Sequence, residues 1–403
     1  MKILLLRCTL AILMCGMSAS AWADEYIINE DFSEMPNTYP DSYNGWTLYG
    51  CIAGLNVSWS NHALRIENKN STKTGYASSP QLTRENINSW EGDVLLSFDY
   101  ARGGSNNNYI FNLEILKSGI FKDKRNINSI RTLSDQSSFS SISIAIIDAT
   151  QETSFKFSEA ELGKTFAIDN VKVSLVPLTS LSESFDNSTT ISDNDTKKMT
   201  VNTTRTLTGG IWNTMCLPFD VTMDDLVLAL GDNQDIRLRT YSSYDTTQKK
   251  MYFEEVDNNA TIIAGTPFLI KLNTTVVNPT FHVVTIKNTA ASSVTHNSVS
   301  FVGTYSPVDL NIDGTHLFIT TDGTVAKPGD DTQNHLKGLR AYIEVPSGTT
   351  TPSRLNIDDE TVDIQQIDAD DDYSTALYDL KGLRLERPKK GLCIKDGKLI
   401  FIK

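Results

Sequence analysis

The chain has 403 residues, enough for two or three domains, and its 39% hydrophobic and 21% charged residues exclude a disordered or low-complexity protein. With 36 Lys and Arg against 49 Asp and Glu, the net charge is −13. Such an acidic surface repels phosphate backbones and argues against a nucleic-acid partner.

Residues 1–23 read as a secretory signal peptide. Lys2 and Arg7 supply the basic start, residues 3–6 and 10–17 the apolar segment, and Ala21 and Ala23 the small recognition residues around Trp22. Cleavage is expected before Asp24, giving a protein that is secreted or held at the cell surface with a charge of −15. No later run approaches the ~18 apolar residues that cross a bilayer, so the mature chain reads as not membrane-spanning. Its cysteines are Cys51, Cys216 and Cys393. An odd, sparse set fits neither a disulfide framework nor a zinc spacing. Three buried thiols are preferred to one bridge and a free thiol.

Residues 24–177 carry alternating segments at 26–32, 46–49, 62–67, 93–100, 109–116, 141–146, 153–157 and 166–173. Pro36, Pro40, Asn44-Gly45 and Gly103-Gly104 punctuate them. Short strands at this spacing predict a two-sheet sandwich. Residues 178–199 are polar and read as a linker. The second domain is expected over 200–345, and it opens on the densest apolar run of the chain's middle, residues 210–221. There a buried strand is stopped by Pro218, and Thr222 with Asp225 three residues on predicts the cap of the one short helix, ended by Gly231. Further strands are expected at 236–241, 251–255, 267–272, 280–286, 300–305, 317–320 and 340–345. Residues 346–372, with the acidic run 368–372, read as a second linker. Residues 373–403 form a small β unit, with Asp396-Gly397 as a two-residue hairpin turn.

Catalytic patterns are scarce. The five histidines, His62, His282, His296, His316 and His335, belong to no His-Glu-x-x-His motif, and no Gly-x-Ser-x-Gly elbow occurs. Cys216, between Met215 and Leu217, reads as a core thiol that burial keeps protonated. A non-enzymatic protein is expected. Candidate ligand contacts are Trp46, Tyr49, Trp59 and Trp90, because aromatic faces stack on sugar C–H surfaces. Core packing competes for Trp46 and Trp90, whereas Trp59 stands between Ser58 and Ser60. The alternatives are a structural envelope component without a soluble ligand, and an accessory glycosidase or peptidase whose acids no pattern singles out.

Glu30-Asp31-Phe32 with Gly45-Trp46, and the closing Ile168-Asp169-Asn170-Val171, resemble bacterial jelly-roll modules of the carbohydrate-binding and cleaved-adhesin type. The resemblance implies that the first domain is a jelly-roll β-sandwich; with the segments above, the chain is expected to be all-β: an N-terminal jelly-roll β-sandwich, a second β-rich sandwich-like domain with one short helix, and a small C-terminal β unit. The resemblance also implies a structural calcium ion at Asp31 and Asp169, since calcium takes carboxylate and carbonyl oxygens. The partner it implies is a glycan or an extracellular protein. Trp212 with Cys216-Leu217-Pro218-Phe219, residues 264–270 and residues 339–342 resemble a β-rich module of secreted Bacteroidales-type proteins. Tyr378-Asp379-Leu380-Lys381-Gly382 and Gly391-Leu392-Cys393-Ile394 are similar to the end of the sorting domains of type IX secretion, which implies secretion or attachment machinery as a partner. Leu383 stands where Arg or Lys is common there, and Cys393 where an aromatic is usual.

Overall fold

The computed structural model describes residues 26–347, apart from 54–62, 69–71, 85–86, 88, 103–109, 124–128, 132–138, 320–324 and 330–333. Beyond 347 it describes the strand segments 354–357, 360–363, 377–378, 384–385, 391–395 and 398–402. The expected signal peptide, Trp59 and the acidic run 368–372 lie outside the described residues.

The described residues of the first sandwich form thirteen strands. In order they are β1 (Tyr26–Glu30), β2 (Ser42–Tyr43), β3 (Trp46–Tyr49), β4 (Cys51–Ala53), β5 (Leu64–Ile66), β6 (Tyr76–Ser78), β7 (Glu91–Arg102), β8 (Ile110–Leu116), β9 (Ile120–Phe121), β10 (Ser129–Arg131), β11 (Ser140–Thr150), β12 (Ser154–Glu159) and β13 (Phe166–Leu175). One sheet runs β4-β5-β13-β7-β11-β9, with β1 added along β13. The other runs β10-β8-β12-β6-β3-β2. The first and last strands pair, Glu30 opposite Val171. β5 takes the other half of the same β13 edge, Ile168 opposite Leu64. Between these two pairings β13 slips register against β7, and Asn170 takes φ 49°. Period-2 alternation sends Phe98, Phe111, Phe155, Phe157 and Phe166 inward, all at 2% exposure or less. Phe111 and Phe166 stack at 4.4 Å, and each such ring buried contributes about 2–3 kcal/mol.

Residues 178–199 are not a linker. They form β14 (Leu178–Ser182), the helix α1 (Ser188–Asp193) and the start of β15 (Lys198–Thr204), and β14 and β15 pair in parallel. A parallel pair needs a crossover, and the stretch 183–197 supplies it. Leu181, Ile191 and Met199 are buried in the second core. Glu183 accepts from Lys337 Nζ at 2.5 Å and from Arg340 Nη2 at 2.7 Å, tying this crossover to the far end of the second unit.

The second unit continues with β16 (Thr206–Leu207), β17 (Trp212–Met215), α2 (Met223–Leu230), β18 (Arg237–Asp245), β19 (Lys250–Glu255), β20 (Phe268–Lys271), β21 (Val276–Val277), β22 (Thr280–Thr285), β23 (Ser293–His296) and β24 (Val299–Thr304). Strand 340–344 (Arg340–Glu344) lies beside β24. The described residues thus hold two helices, not one. The expected helix is α2, closed by a capping box: Thr222 Oγ1 accepts from the Asp225 amide, and Asp225 accepts from the Thr222 amide. The apolar run 210–221 is core: Met215, Cys216, Leu217, Phe219 and Val221 are all at 2% exposure or less.

Part of the second expected linker is also sheet. Arg354–Ile357 pairs in parallel with β19, and Glu360–Asp363 continues that sheet. At the C-terminus, Gly391–Lys395 and Lys398–Ile402 form an antiparallel hairpin with Lys395 opposite Lys398, leaving two residues for the turn as expected.

The two sandwiches meet through a small apolar contact, where Ile147 and Val176 pack with Val283, Leu95 and Leu228. Lys122 of the first sandwich donates to the Val283 carbonyl at 3.0 Å and pairs with Asp225 at 2.8 Å.

Candidate functional site

The outward face of the six-stranded sheet carries two rows of polar and aromatic side chains. Because Leu48, Ala77, Leu113 and Phe157 point into the core, their strand neighbours point out. One row reads Tyr49, Tyr76, Ser158, Asn112 across β3, β6, β12 and β8, with Ser158 covered to 7% exposure. The next reads Thr47, Ser78, Lys156, Glu114.

Tyr49 and Tyr76 are half-buried, directly opposed, and stacked at 5.9 Å with 19° between their planes. Lys73 Nζ stands over the Tyr49 ring, 6.0 Å from its centroid, and Lys156 Nζ over the Tyr76 ring at 5.5 Å. Lys156 also pairs with Glu114 at 3.5 Å. The face therefore offers aromatic surface, two ammonium groups and hydroxyl and amide groups within one patch, the mixture that binds sugars by stacking and hydrogen bonding.

The floor under these rings is rigid. β3 leaves the sheet at Gly50 (φ 67°) and enters the other sheet as β4. The buried Cys51 thiol donates to the Tyr76 carbonyl at 3.1 Å, and burial pushes its pKa up to about 12. Beneath the start of β6, the Gly75 amide donates to Glu159 Oε2 at 2.7 Å. A Cβ at Gly75 would lie 2.3 Å from the Glu67 carbonyl oxygen, so this close approach admits glycine alone.

Glu159 is 3% exposed, and its Oε1 has no hydrogen-bond partner among the described residues. Burial is the main cause that pushes its carboxyl above the ordinary range; the Gly75 and Asn68 amides oppose it and the Glu67 charge adds to it. A raised folded pKa means that the native state holds a proton which the unfolded chain has released. Stability is therefore lost as pH rises through the window above the ordinary glutamate value. Glu159→Gln keeps an acceptor for Gly75 and carries no charge. The variant is expected to melt a few degrees above the parent at pH 8, with the gap closing near pH 4. A gap independent of pH in calorimetric scans would contradict this.

The other sequence-derived candidates lie elsewhere. Trp46 is corrected: at 1% exposure it is core, edge-on to Phe32 at 5.3 Å, and offers no face to a ligand. Trp90 is half-buried against the same core and donates its indole N–H to the Leu82 carbonyl at 2.9 Å. Asp31 is exposed and accepts from the Ser33 amide at 3.0 Å, closing its own turn. Asp169 is 8% exposed and accepts from the Asn170 amide at 2.8 Å. Among the described residues, one group of three metal-competent side chains converges, and it contains neither of these: it is Asp93, Asp148 and His282. Tyr76, Lys73 and Lys156 were not singled out in the sequence. The signal that marks Tyr76 is local, an aromatic two residues before Ser78 in a strand whose middle residue, Ala77, is fully buried.

No family model and no curated protein matches the chain. Solved structures do, among them carbohydrate-binding modules and cleaved adhesin domains. The CBM22-1 xylan-binding domain from Paenibacillus barcinonensis Xyn10C is 10% identical, covering 38% of this chain and 96% of that one, with a TM-score of 0.25. The K3 cleaved adhesin domain of Lys-gingipain from Porphyromonas gingivalis W83 is 12% identical over 37% of this chain and 97% of its own, with a TM-score of 0.25. A family 35 carbohydrate-binding module from Clostridium thermocellum is 15% identical over 36% and 95%, with a TM-score of 0.22. These scores assign no ligand. No helix of the described residues is long and apolar enough to cross a membrane.

Proposed function

We propose that the chain is a non-catalytic recognition protein, secreted or attached at the cell surface, and that the Tyr49–Tyr76 face binds glycan. The observation that carries this reading is the stacked tyrosine pair with an ammonium group over each ring, in one row with Asn112 and beside the hydroxyls of Thr47 and Ser78. The tyrosines supply aromatic surface and hydroxyls for sugar C–H and O–H groups. The two lysines add attraction for a carboxylate-bearing sugar, so uronate-containing chains are preferred over neutral ones. That part of the affinity is screened by salt. The C-terminal hairpin serves delivery or attachment in this reading.

Affinity electrophoresis of the mature chain on neutral and uronate-bearing polysaccharides tests it. Retardation is expected on the acidic polymers and is expected to weaken as salt is added. The double variant Tyr49→Ala, Tyr76→Ala should bind about tenfold or more weakly. No retardation on any polymer, or retardation untouched by the double variant, would overturn the proposal.

A further inference from the structure

The junction of the two sandwiches gathers metal-competent side chains from three strands. Asp93 lies in β7, Asp148 in the irregular stretch of β11 where pairing to β7 shifts register, and His282 in β22. One donor atom from each lies within 4.8 Å of the other two. The Asp93 side chain is 3% exposed and that of His282 19%. Asp93 Oδ2 meets His282 Nδ1 at 2.9 Å and also accepts from the Thr200 hydroxyl, while Oδ1 accepts from the Asp148 amide at 3.3 Å. Lys122 is the neighbouring cation, and its ammonium is engaged by Asp225 at 2.8 Å and by the Val283 carbonyl at 3.0 Å. Two carboxylates, one of them deeply buried and bonded to the ring, thus lie beside a single imidazole at the seam between the two sandwiches.

We propose that Asp93, Asp148 and His282 form a zinc site that clamps the first sandwich to the second. Two carboxylate oxygens and one imidazole nitrogen are a donor set that zinc accepts in tetrahedral geometry, with water as the fourth ligand. Calcium wants six to eight oxygens and is poorly served by three side chains that include a nitrogen. Zinc bonds of about 2.1 Å put neighbouring ligand atoms about 3.4 Å apart, so the Asp93–His282 contact opens by about half an ångström on binding. The ion takes the place of the proton between Asp93 and His282, and that proton leaves to solvent. The Thr200 hydroxyl holds the Asp93 carboxylate in orientation, the outer support that such ligands ordinarily have. Because Asp93 and Asp148 belong to one sandwich and His282 to the other, the ion binds only the docked arrangement and stabilises it by mass action.

The test uses the mature full-length chain, stripped with a chelator and titrated with zinc chloride by calorimetry, alongside melting scans with and without the metal. One ion per chain and a rise of several degrees in melting temperature are expected. His282→Ala and Asp148→Asn should each weaken binding tenfold or more and abolish the rise. Asp148 is exposed, so Asp148→Asn is expected to melt like the parent without metal and keeps the test valid if His282→Ala loosens the junction by itself. His335→Ala, which removes an exposed histidine elsewhere, should bind zinc like the parent. Absence of binding heat, an unchanged rise in Asp148→Asn, or an equal rise with calcium in place of zinc would each overturn the proposal.

Discussion

Arg205→Ala is expected to lower the melting temperature of the second sandwich by about 10 °C or more, a loss on the order of 4 kcal/mol. Arg205 is 0% exposed and lies between β15 and β16. Its Nη1 donates to the Leu339 carbonyl and its Nη2 to the Thr214 carbonyl, joining the start of the second unit to its edge strand β17 and to the loop before strand 340–344. Its Nε has no acceptor among the described residues. Burial is the main cause that drives the guanidinium pKa down, and nearby Arg340 adds to it. The carboxylate that opposes this, Glu183, accepts from Lys337 and Arg340. Truncation leaves two carbonyls facing a void, about 1–3 kcal/mol for each unsatisfied group, with a cavity cost in addition. Arg205→Met fills most of the volume without burying a charge, and it is expected to recover part of the loss because only the two carbonyls stay unpaired. Calorimetric scans of the mature chain separate these cases. A shift below about 3 °C for Arg205→Ala would show that the guanidinium's burial cost offsets its bonds.

What the sequence makes legible follows the range of each interaction. The strand that starts near Asp93 alternates over its own length, and β7 appears where expected, though longer, at Glu91–Arg102. Thr222 and Asp225 satisfy each other within one turn, so the start of α2 is readable without any partner. Trp46 was open to correction from its neighbours alone: it shares strand parity with the buried Leu48, and Tyr49 has the opposite parity. The crossover at 178–199 was hidden for a different reason. Its Leu181, Ile191 and Met199 are too far apart to make a period, and they become core only because β22 and the second sandwich cover them. Asp93 and His282 are 189 residues apart and meet only when both sandwiches are folded and docked. No local pattern encodes such a contact.

Gly303→Ala is expected to destabilise the second sandwich by about 1–3 kcal/mol, and Cys216→Ala is expected to rescue it. Gly303 lies in β24 opposite Ala341, and a Cβ there would come within 2.5 Å of Cys216 Sγ and 3.2 Å of Cys216 Cβ. Cys216 is 0% exposed and donates to the Gly265 carbonyl at 3.2 Å, and burial pushes its pKa up to about 12, which keeps it an uncharged packing group. Removing the sulfur empties most of the volume that the new methyl group needs, leaving contacts of 3.2 Å to the Cβ at 216 and 3.3 Å to the Gly265 carbonyl oxygen. The double variant should therefore melt within about 0.5 kcal/mol of Cys216→Ala alone, a favourable coupling that two independent sites would not show. In the parent, a bulky thiol reagent should label Cys216 only on unfolding, and in Gly303→Ala labelling should accelerate as the strand is forced off the thiol. Strict additivity of the two substitutions, or rapid labelling of the native parent, would mean that the apolar run 210–221 is not packed against β24 as described.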